Sequence, residues 1–372
     1  MADKTVSKAI PISCETAAEL LQELYGLDCG ADLKCLGGLY DANFYLKTTK
    51  TSEEFTLKIL NSEQSKHPQQ TVAQIEVMKF LIEEKDAVLP HTLSTVDGDL
   101  YQIREIPYER TTGDAENMNE SMKSGLHLVR LQTFLPGTVF HDIPAEKVPS
   151  GFYYQLGESI ANLQKSLLEC PVNLPRVPLE ADKWNLINLP RLRDLLPHVK
   201  HSEHRQVLDN IITEFEEIVL PNLQYMRSGI LHCDLNEKNT IISELNNDQI
   251  KLAFIDYGDC GHSYVVFDLA IALMHFTYDN KGRDIFEICR EILRGYATNF
   301  YITEAEKRAL KTCICARFTQ GILIGSSIYA RDPTKTSALD FYRNGWSVLE
   351  TFCESKNDQL WSVGDQDPVP QL

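Results

Sequence analysis

The spacing of apolar residues changes once along this chain. Up to Gly137 it is mainly that of short strands, and beyond Gly137 mainly that of helices. Residues 16–25 read as a short amphipathic helix stopped by Gly26. Residues 32–36, 44–48 and 54–59 read as strands, the last alternating polar and apolar side chains as a half-buried strand does. Residues 68–84 carry apolar positions at 72, 75, 78 and 81, which is helical spacing. Asp97-Gly98 lies between two β-type runs and predicts a hairpin over 92–103, because a type I′ turn needs positive φ. The polar stretch 109–124 predicts a surface loop, and 127–134 a further strand ended by Pro136-Gly137. After that, Phe152, Leu156, Ile160, Leu163 and Leu167 mark one helix face, and Val207, Ile211, Phe215 and Ile218 another. Helical spacing continues over 267–278, 284–300 and 304–330, with Thr303 and Glu306 forming a capping box for the last. Two short β-type runs, 240–243 and 250–255, interrupt the helices. The pattern predicts a small, mostly-β lobe followed by a larger, mostly helical one.

Four local signals carry candidate chemistry. In Ser228-Gly-Ile-Leu-His232-Cys-Asp234-Leu-Asn-Glu-Lys-Asn239, an apolar run delivers His232 and Asp234 into a polar turn. A carboxylate there is able to accept a substrate proton, and the Asn239 amide oxygen to bind a hard cation. The same residues also fit a plain core histidine and a turn-forming aspartate. Leu252-Ala-Phe-Ile-Asp256-Tyr-Gly258 ends a second apolar run in a carboxylate; with Asn239 it offers the few protein oxygens Mg²⁺ takes when phosphates supply the rest. Lys58 closes the alternating strand, and Glu76 lies in the middle of the helix that follows. Such a pair would hold an ammonium against nucleotide phosphates, with Glu83 and Glu84 as competitors for the pairing. Finally, Gly37-Gly38 in Leu36-Gly-Gly-Leu-Tyr-Asp41-Ala-Asn43 lets backbone N–H groups approach phosphates, although Gly-Gly in a hairpin is routine.

Composition narrows the field. The apolar fraction is 43%, enough for a substantial core, and 36 basic against 53 acidic residues give a net charge of −17. With no basic patch beyond the short, leucine-interleaved run 191–201, nucleic acid is not an expected partner. No membrane partner or obligate protein partner is read either; an acidic surface favours small cationic ligands. Ten scattered cysteines without a secretory or targeting pattern read as buried free thiols in a reducing, cytoplasmic setting.

Taken in order, the Gly-rich hairpin, Lys58, Glu76, Phe134-Leu-Pro-Gly137, His232-x-Asp234-x(4)-Asn239 and Asp256-Tyr-Gly resemble the aminoglycoside phosphotransferase family, which is choline-kinase-like. Ile255-Asp256-Tyr-Gly-Asp259 followed by Phe267-Asp268-Leu-Ala adds to the likeness, which covers roughly residues 15 to 350. The resemblance implies an α+β, bilobal protein-kinase-like fold: an antiparallel-β N-terminal lobe with one long helix (1–134, nucleotide-binding) and a larger, mostly helical C-terminal lobe (135–372, catalytic and substrate-binding). It further implies Asp234 as base and Asn239 and Asp256 as Mg²⁺ ligands. Gly37, Gly38 and Lys58 would meet phosphates, Glu76 would pair with Lys58, and Arg130, Gln132 and Phe134 would lie near the nucleotide base. Asp268 would brace the catalytic loop. Cys233 stands where protein kinases carry arginine, no A-P-E follows, and only eleven residues separate Asp256 from Asp268, so a small acceptor is expected instead of a peptide. An amino alcohol or hydroxy amino acid, its ammonium near Asp259, is the expected class. Within the family the likeness is greatest to members that phosphorylate the side-chain hydroxyl of 5-hydroxy-L-lysine, an activity associated with GTP; the residues alone do not separate GTP from ATP. Homoserine, choline and ethanolamine are the alternative acceptors, with Trp184 and Tyr264 as candidate aromatics for a quaternary ammonium.

Overall fold

The computed structural model describes residues 11–28, 32–37, 41–109, 122–176, 182–246 and 249–361. The chain divides into two compact units, Met1–Pro136 and Gly137–Leu372.

The first unit opens with α1 (Cys14–Tyr25). Ser13 Oγ accepts the Thr16 N–H at 3.1 Å to start it, and Gly26 stops it at φ 63° with its N–H turned back to Gln22 O. Strands β1 (Leu33–Gly37), β2 (Ala42–Lys47) and β3 (Glu54–Ile59) follow, then α2 (Ser62–Ser65) and α3 (Pro68–Lys85), with proline in the first turn of α3. The unit closes with β4 (Thr92–Leu93), β5 (Gln102–Glu109) and β6 (Met122–Thr133). All pairings are antiparallel, in the order β1-β2-β3-β6-β4, with β5 also on β6.

Two expectations fail here. The Asp97-Gly98 turn exists, with Gly98 at φ 90° and its N–H on Thr95 O at 2.9 Å, but the runs beside it do not form a hairpin. β4 pairs with Gln132 and Leu131 of β6, and β5 pairs with β6 from Val129 onward. A strand of twelve residues is long enough to take both partners in succession. β6 also begins at Met122, so strand occupies part of the stretch expected to be a loop; residues 110–121 of that stretch lie outside the described residues.

Strand alternation gives this sheet two unlike faces. Phe44, Leu46, Phe55, Leu57, Ile59, Val129 and Leu131 form one, packed with Ala17, Leu20, Leu21 and Leu24 of α1. The other carries Asn43, Thr56, Lys58, Arg130 and Gln132; Lys58 sits directly across from Arg130, and Thr56 from Gln132.

The second unit begins with β7 (Thr138–Val139) and α4 (Phe152–Leu168), and runs through tight helical turns over Leu186–His198 to α5 (Ser202–Glu214). Next come β8 (Ser228–Leu231), β9 (Thr240–Asn246), β10 (Gln249–Phe254) and β11 (Gly261–Tyr264). They form two small antiparallel sheets, β10-β9-β7 and β11-β8. Helices α6 (Val265–Tyr278), α7 (Ile285–Asn299), α8 (Glu304–Arg331) and α9 (Asp340–Glu354) complete it. The capping box at Thr303 and Glu306 is present. The sequence reading stops short of α9, although its buried Gly345, Val348, Leu349 and Phe352 have helical spacing. Gly157 of α4 and Gly295 of α7 meet backbone to backbone: a Cβ on Gly157 would strike Ile292 O and Tyr296 N, and one on Gly295 would strike Tyr154 O.

The cysteines described are all free thiols, but not all buried: Cys14, Cys35 and Cys353 are exposed. No helix among the described residues is long and apolar enough to cross a membrane.

Candidate active site

β8 ends at Leu231 and feeds a loop whose backbone departs from ordinary geometry at Cys233, φ 65°. Three side chains hold it there. His232 is fully buried against the Tyr257 ring; its Nε2 meets Ile255 O at 3.1 Å and its Nδ1 meets the Asp234 N–H at 3.3 Å. Those partners assign a neutral ring with the proton on Nε2. His232 is thus a satisfied core histidine that also fixes the residue beside it. Asp268, fully buried at the start of α6, accepts the Cys233 N–H at 2.7 Å and the Gln164 Nε2–H at 2.9 Å, and the Tyr296 hydroxyl donates to Gln164 Oε1. Burial raises the Asp268 carboxyl above its ordinary value, while the hydrogen bonds from Gln164 and the Cys233 N–H pull it back. The expected bracing role of Asp268 is therefore a direct contact with the loop.

Asn236 starts the return of the chain. Its Oδ1 accepts the N–H groups of Lys238 and Asn239, closing a tight turn that leads into β9. Asn239 reaches back across it: its Nδ2 donates to Asp234 Oδ2 at 2.8 Å and to Asp234 O at 3.0 Å. Its backbone carbonyl accepts the Ile255 N–H at 2.9 Å, tying the loop to the chain just before Asp256. Asp256 follows β10 in the left-handed region at φ 64°, and a Cβ on Gly258 would sit 3.3 Å from its Oδ1. Because both side-chain bonds of Asn239 leave from Nδ2, its Oδ1 is turned away from Asp234. An amide oxygen so oriented, with the Asp256 carboxylate anchored next to the same strand pair, is the hard-oxygen donor set that suits Mg²⁺. Among the described residues no group of three His, Cys, Asp or Glu is arranged to hold a metal by itself, so phosphates and water would complete any such shell.

Asp259 is exposed at its surface, yet many protein atoms crowd around it. Burial, followed by repulsion from Asp234, Asp256 and Asp182, pushes its carboxyl up to about 8. The cation facing this acidic cluster is Arg317, in the middle of α8 and only 6% exposed. Its Nη2 lies 3.9 Å from Asp234 Oδ1, its Nη1 donates to Trp184 O and Gln320 Oε1, and its plane lies 4.9 Å from the Trp184 ring centroid. Sequence reasoning missed Arg317, Gln320 and Asp182. A usable signal was present: Arg317 and Gln320, three residues apart with Thr319 between them, interrupt the largely apolar run of Cys313 to Ile324.

In the first unit, Lys58 is only 8% exposed on β3, and Arg130 and Gln132 are buried on β6. Gln132 Nε2 contacts Met78 Sδ of α3 at 3.9 Å and Thr92 Oγ1 at 3.5 Å. The Phe134 N–H is committed to Glu54 O at 2.9 Å. Glu76 departs from its expected place. It is exposed on α3, while its neighbours Gln74, Ile75, Val77 and Met78 are buried, so the helix turns a glutamine inward and sends Glu76 to solvent. Gly37 ends β1 at φ 77° with its carbonyl held by Asn43 Nδ2 at 3.0 Å; Gly38 lies outside the described residues.

The family model described as the phosphotransferase enzyme family (APH) matches residues 33–298. The chain is 28% identical to a hydroxylysine kinase of Xenopus laevis, with 91% of this chain and 89% of that protein covered. It is 27% identical to a hydroxylysine kinase of Mus musculus, with 97% and 92% covered. Among solved structures, an amicoumacin kinase in complex with AMP-PNP and Ca²⁺ shares the fold at a TM-score of 0.64 and 14% identity, over 93% of this chain and 92% of that one. The fold is therefore the bilobal, α+β protein-kinase-like one, and the chain belongs to the phosphotransferase enzyme family as a small-molecule kinase.

Proposed function

We propose that this kinase transfers the γ-phosphate of a nucleoside triphosphate to the side-chain hydroxyl of 5-hydroxy-L-lysine, giving 5-phosphohydroxy-L-lysine. The observation that carries the chemistry is the Asp234 carboxylate, pinned by the Asn239 amide in a loop that Asp268 and His232 hold rigid. A carboxylate so fixed takes the proton of an acceptor hydroxyl as that oxygen attacks phosphorus, and fixed geometry supplies much of the rate. Asn239 Oδ1 and Asp256 would hold Mg²⁺, which when bound neutralises phosphate charge. Lys58, with Gly37 at the end of β1 and Gly38 next to it in sequence, would meet the phosphates. The lysine-like acceptor brings ammonium groups, and the cluster of Asp182, Asp234, Asp256 and Asp259 is suited to receive one. Likeness along nearly the whole chain to hydroxylysine kinases supports that acceptor, and GTP as donor rests on the family likeness alone.

The test is a panel of 5-hydroxylysine, homoserine, choline and ethanolamine, each assayed with GTP and with ATP. The reading requires the highest kcat/KM for 5-hydroxylysine. A higher value for choline or ethanolamine would replace it with an amino-alcohol kinase. Against choline stands Trp184, whose ring already carries the Arg317 guanidinium.

A further inference from the structure

We infer that Arg317 is the residue that reads the carboxylate of the acceptor, so that the site selects amino acids over amino alcohols. This rests on the proposed acceptor and adds to it a specificity-determining contact that neither the motifs nor the family likeness assigns.

A guanidinium has five N–H donors in a rigid fork. Both hydrogen bonds of Arg317 leave from Nη1, to Trp184 O at 3.2 Å and Gln320 Oε1 at 2.7 Å. The ion pair from Nη2 to Asp234 Oδ1 spans 3.9 Å, too long for a hydrogen bond. The fork is therefore fixed on one side, and its Nη2 faces Asp234 with donors to spare. Its position is prepared in advance. Gln320 Nε2 donates to Lys183 O at 2.9 Å, which holds the segment whose Trp184 ring lies over the guanidinium. Burying such a cation is costly, and a charge meant only to offset Asp234 would gain most by closing on it with two short bonds. A planar fork held just short of the proposed base suits a second carboxylate, one that arrives with the acceptor. In 5-hydroxylysine, four bonds, roughly 5 Å, separate the hydroxyl-bearing carbon from the carboxylate carbon. That length exceeds the 3.9 Å between Asp234 Oδ1 and Nη2, so a bent acceptor is able to rest its hydroxyl on Asp234 and its carboxylate on the fork, which leaves the ammonium groups to the aspartates.

The experiment compares 5-hydroxylysine with 1,5-diaminopentan-2-ol, which is the same molecule without its carboxyl group, on the full-length protein. The wild type is expected to favour the amino acid by at least about 30-fold in kcat/KM, as loss of one partner of a buried charge pair implies. Arg317→Gln is expected to bring that ratio to within about threefold of one, and Arg317→Lys to retain part of it. Thermal melts with and without nucleotide establish that each variant is folded, and the wild-type ratio is read without any variant. A wild-type ratio near one overturns the inference while leaving the proposed function intact. A proportional loss of both acceptors in Arg317→Gln also overturns it, reducing Arg317 to a support for Asp234. If the wild type phosphorylates neither compound but accepts another member of the panel, the proposed function fails and this contact falls with it.

Discussion

The two units place their polar groups by opposite means. In the first, Lys58, Arg130 and Gln132 share one face of a regular sheet simply because side chains alternate along strands whose other face is fully apolar. In the second, Asp234 and Asp256 stand on irregular backbone, beside a left-handed Cys233 and in a left-handed Asp256, and buried side chains hold the geometry: Asp268, His232, Gln164 and Asn239. Alternation is a tolerant way to position a cation proposed to meet a flexible triphosphate. An in-line attack allows far less error, and its loop is correspondingly over-determined by hydrogen bonds.

Substitutions sharpen that contrast. Asp234→Asn should lower kcat about 10³-fold while nucleotide affinity stays near normal, because a carboxylate acting as base is lost and a similar shape is kept. Turnover close to wild type would remove Asp234 from the base role. Lys58→Met should follow, with kcat about 10²-fold down as a phosphate-facing charge disappears and little change in the melting temperature, since the side chain is buried along its length. Unaltered nucleotide kinetics would detach the polar face of the sheet from the triphosphate. Asp268→Asn never touches a reactant, yet it should cost about 1–3 kcal/mol in urea unfolding, because its new amide would face the Gln164 donor. Its kcat should fall about tenfold with the acceptor KM little moved. Stability loss at full kcat would make Asp268 a core residue only. The smallest effect belongs to Cys233: replacement by glycine, at ease at φ 65°, should stay within about 1 kcal/mol of wild type. Cys233→Val should cost about 1–2 kcal/mol, and equal stability of the two would show that this backbone position is unstrained.

The regular parts of the molecule were legible because one physical rule generates each. Residues 54–59 alternate and form β3 over the same span; Thr303 and Glu306 signal the start of α8; Gly26 ends α1. His232, Asp234 and Asn239 were legible as a group since a turn brings them together over eight residues. What escaped depended on choices among equivalent partners. β4 and β5 carry hairpin chemistry between them, yet a long neighbour offers both more pairing than they offer each other. Apolar spacing in α3 could not show that Gln74 turns inward and Glu76 outward, because that helix buries residues around most of its circumference. Arg317 lies some eighty residues from Asp234 along the chain, and only the tertiary approach of α8 to the loop makes it part of the site.

The bare contact between Gly157 and Gly295 gains meaning from what stands near it. Tyr296 comes directly after one glycine, and Gln164 lies two turns beyond the other; their hydrogen bond continues through Asp268 to the Cys233 amide. Two absent methyl groups thus act as a gauge for the spacing of α4 and α7, and a single alanine there would be felt by the reaction before any residue of the site had been altered.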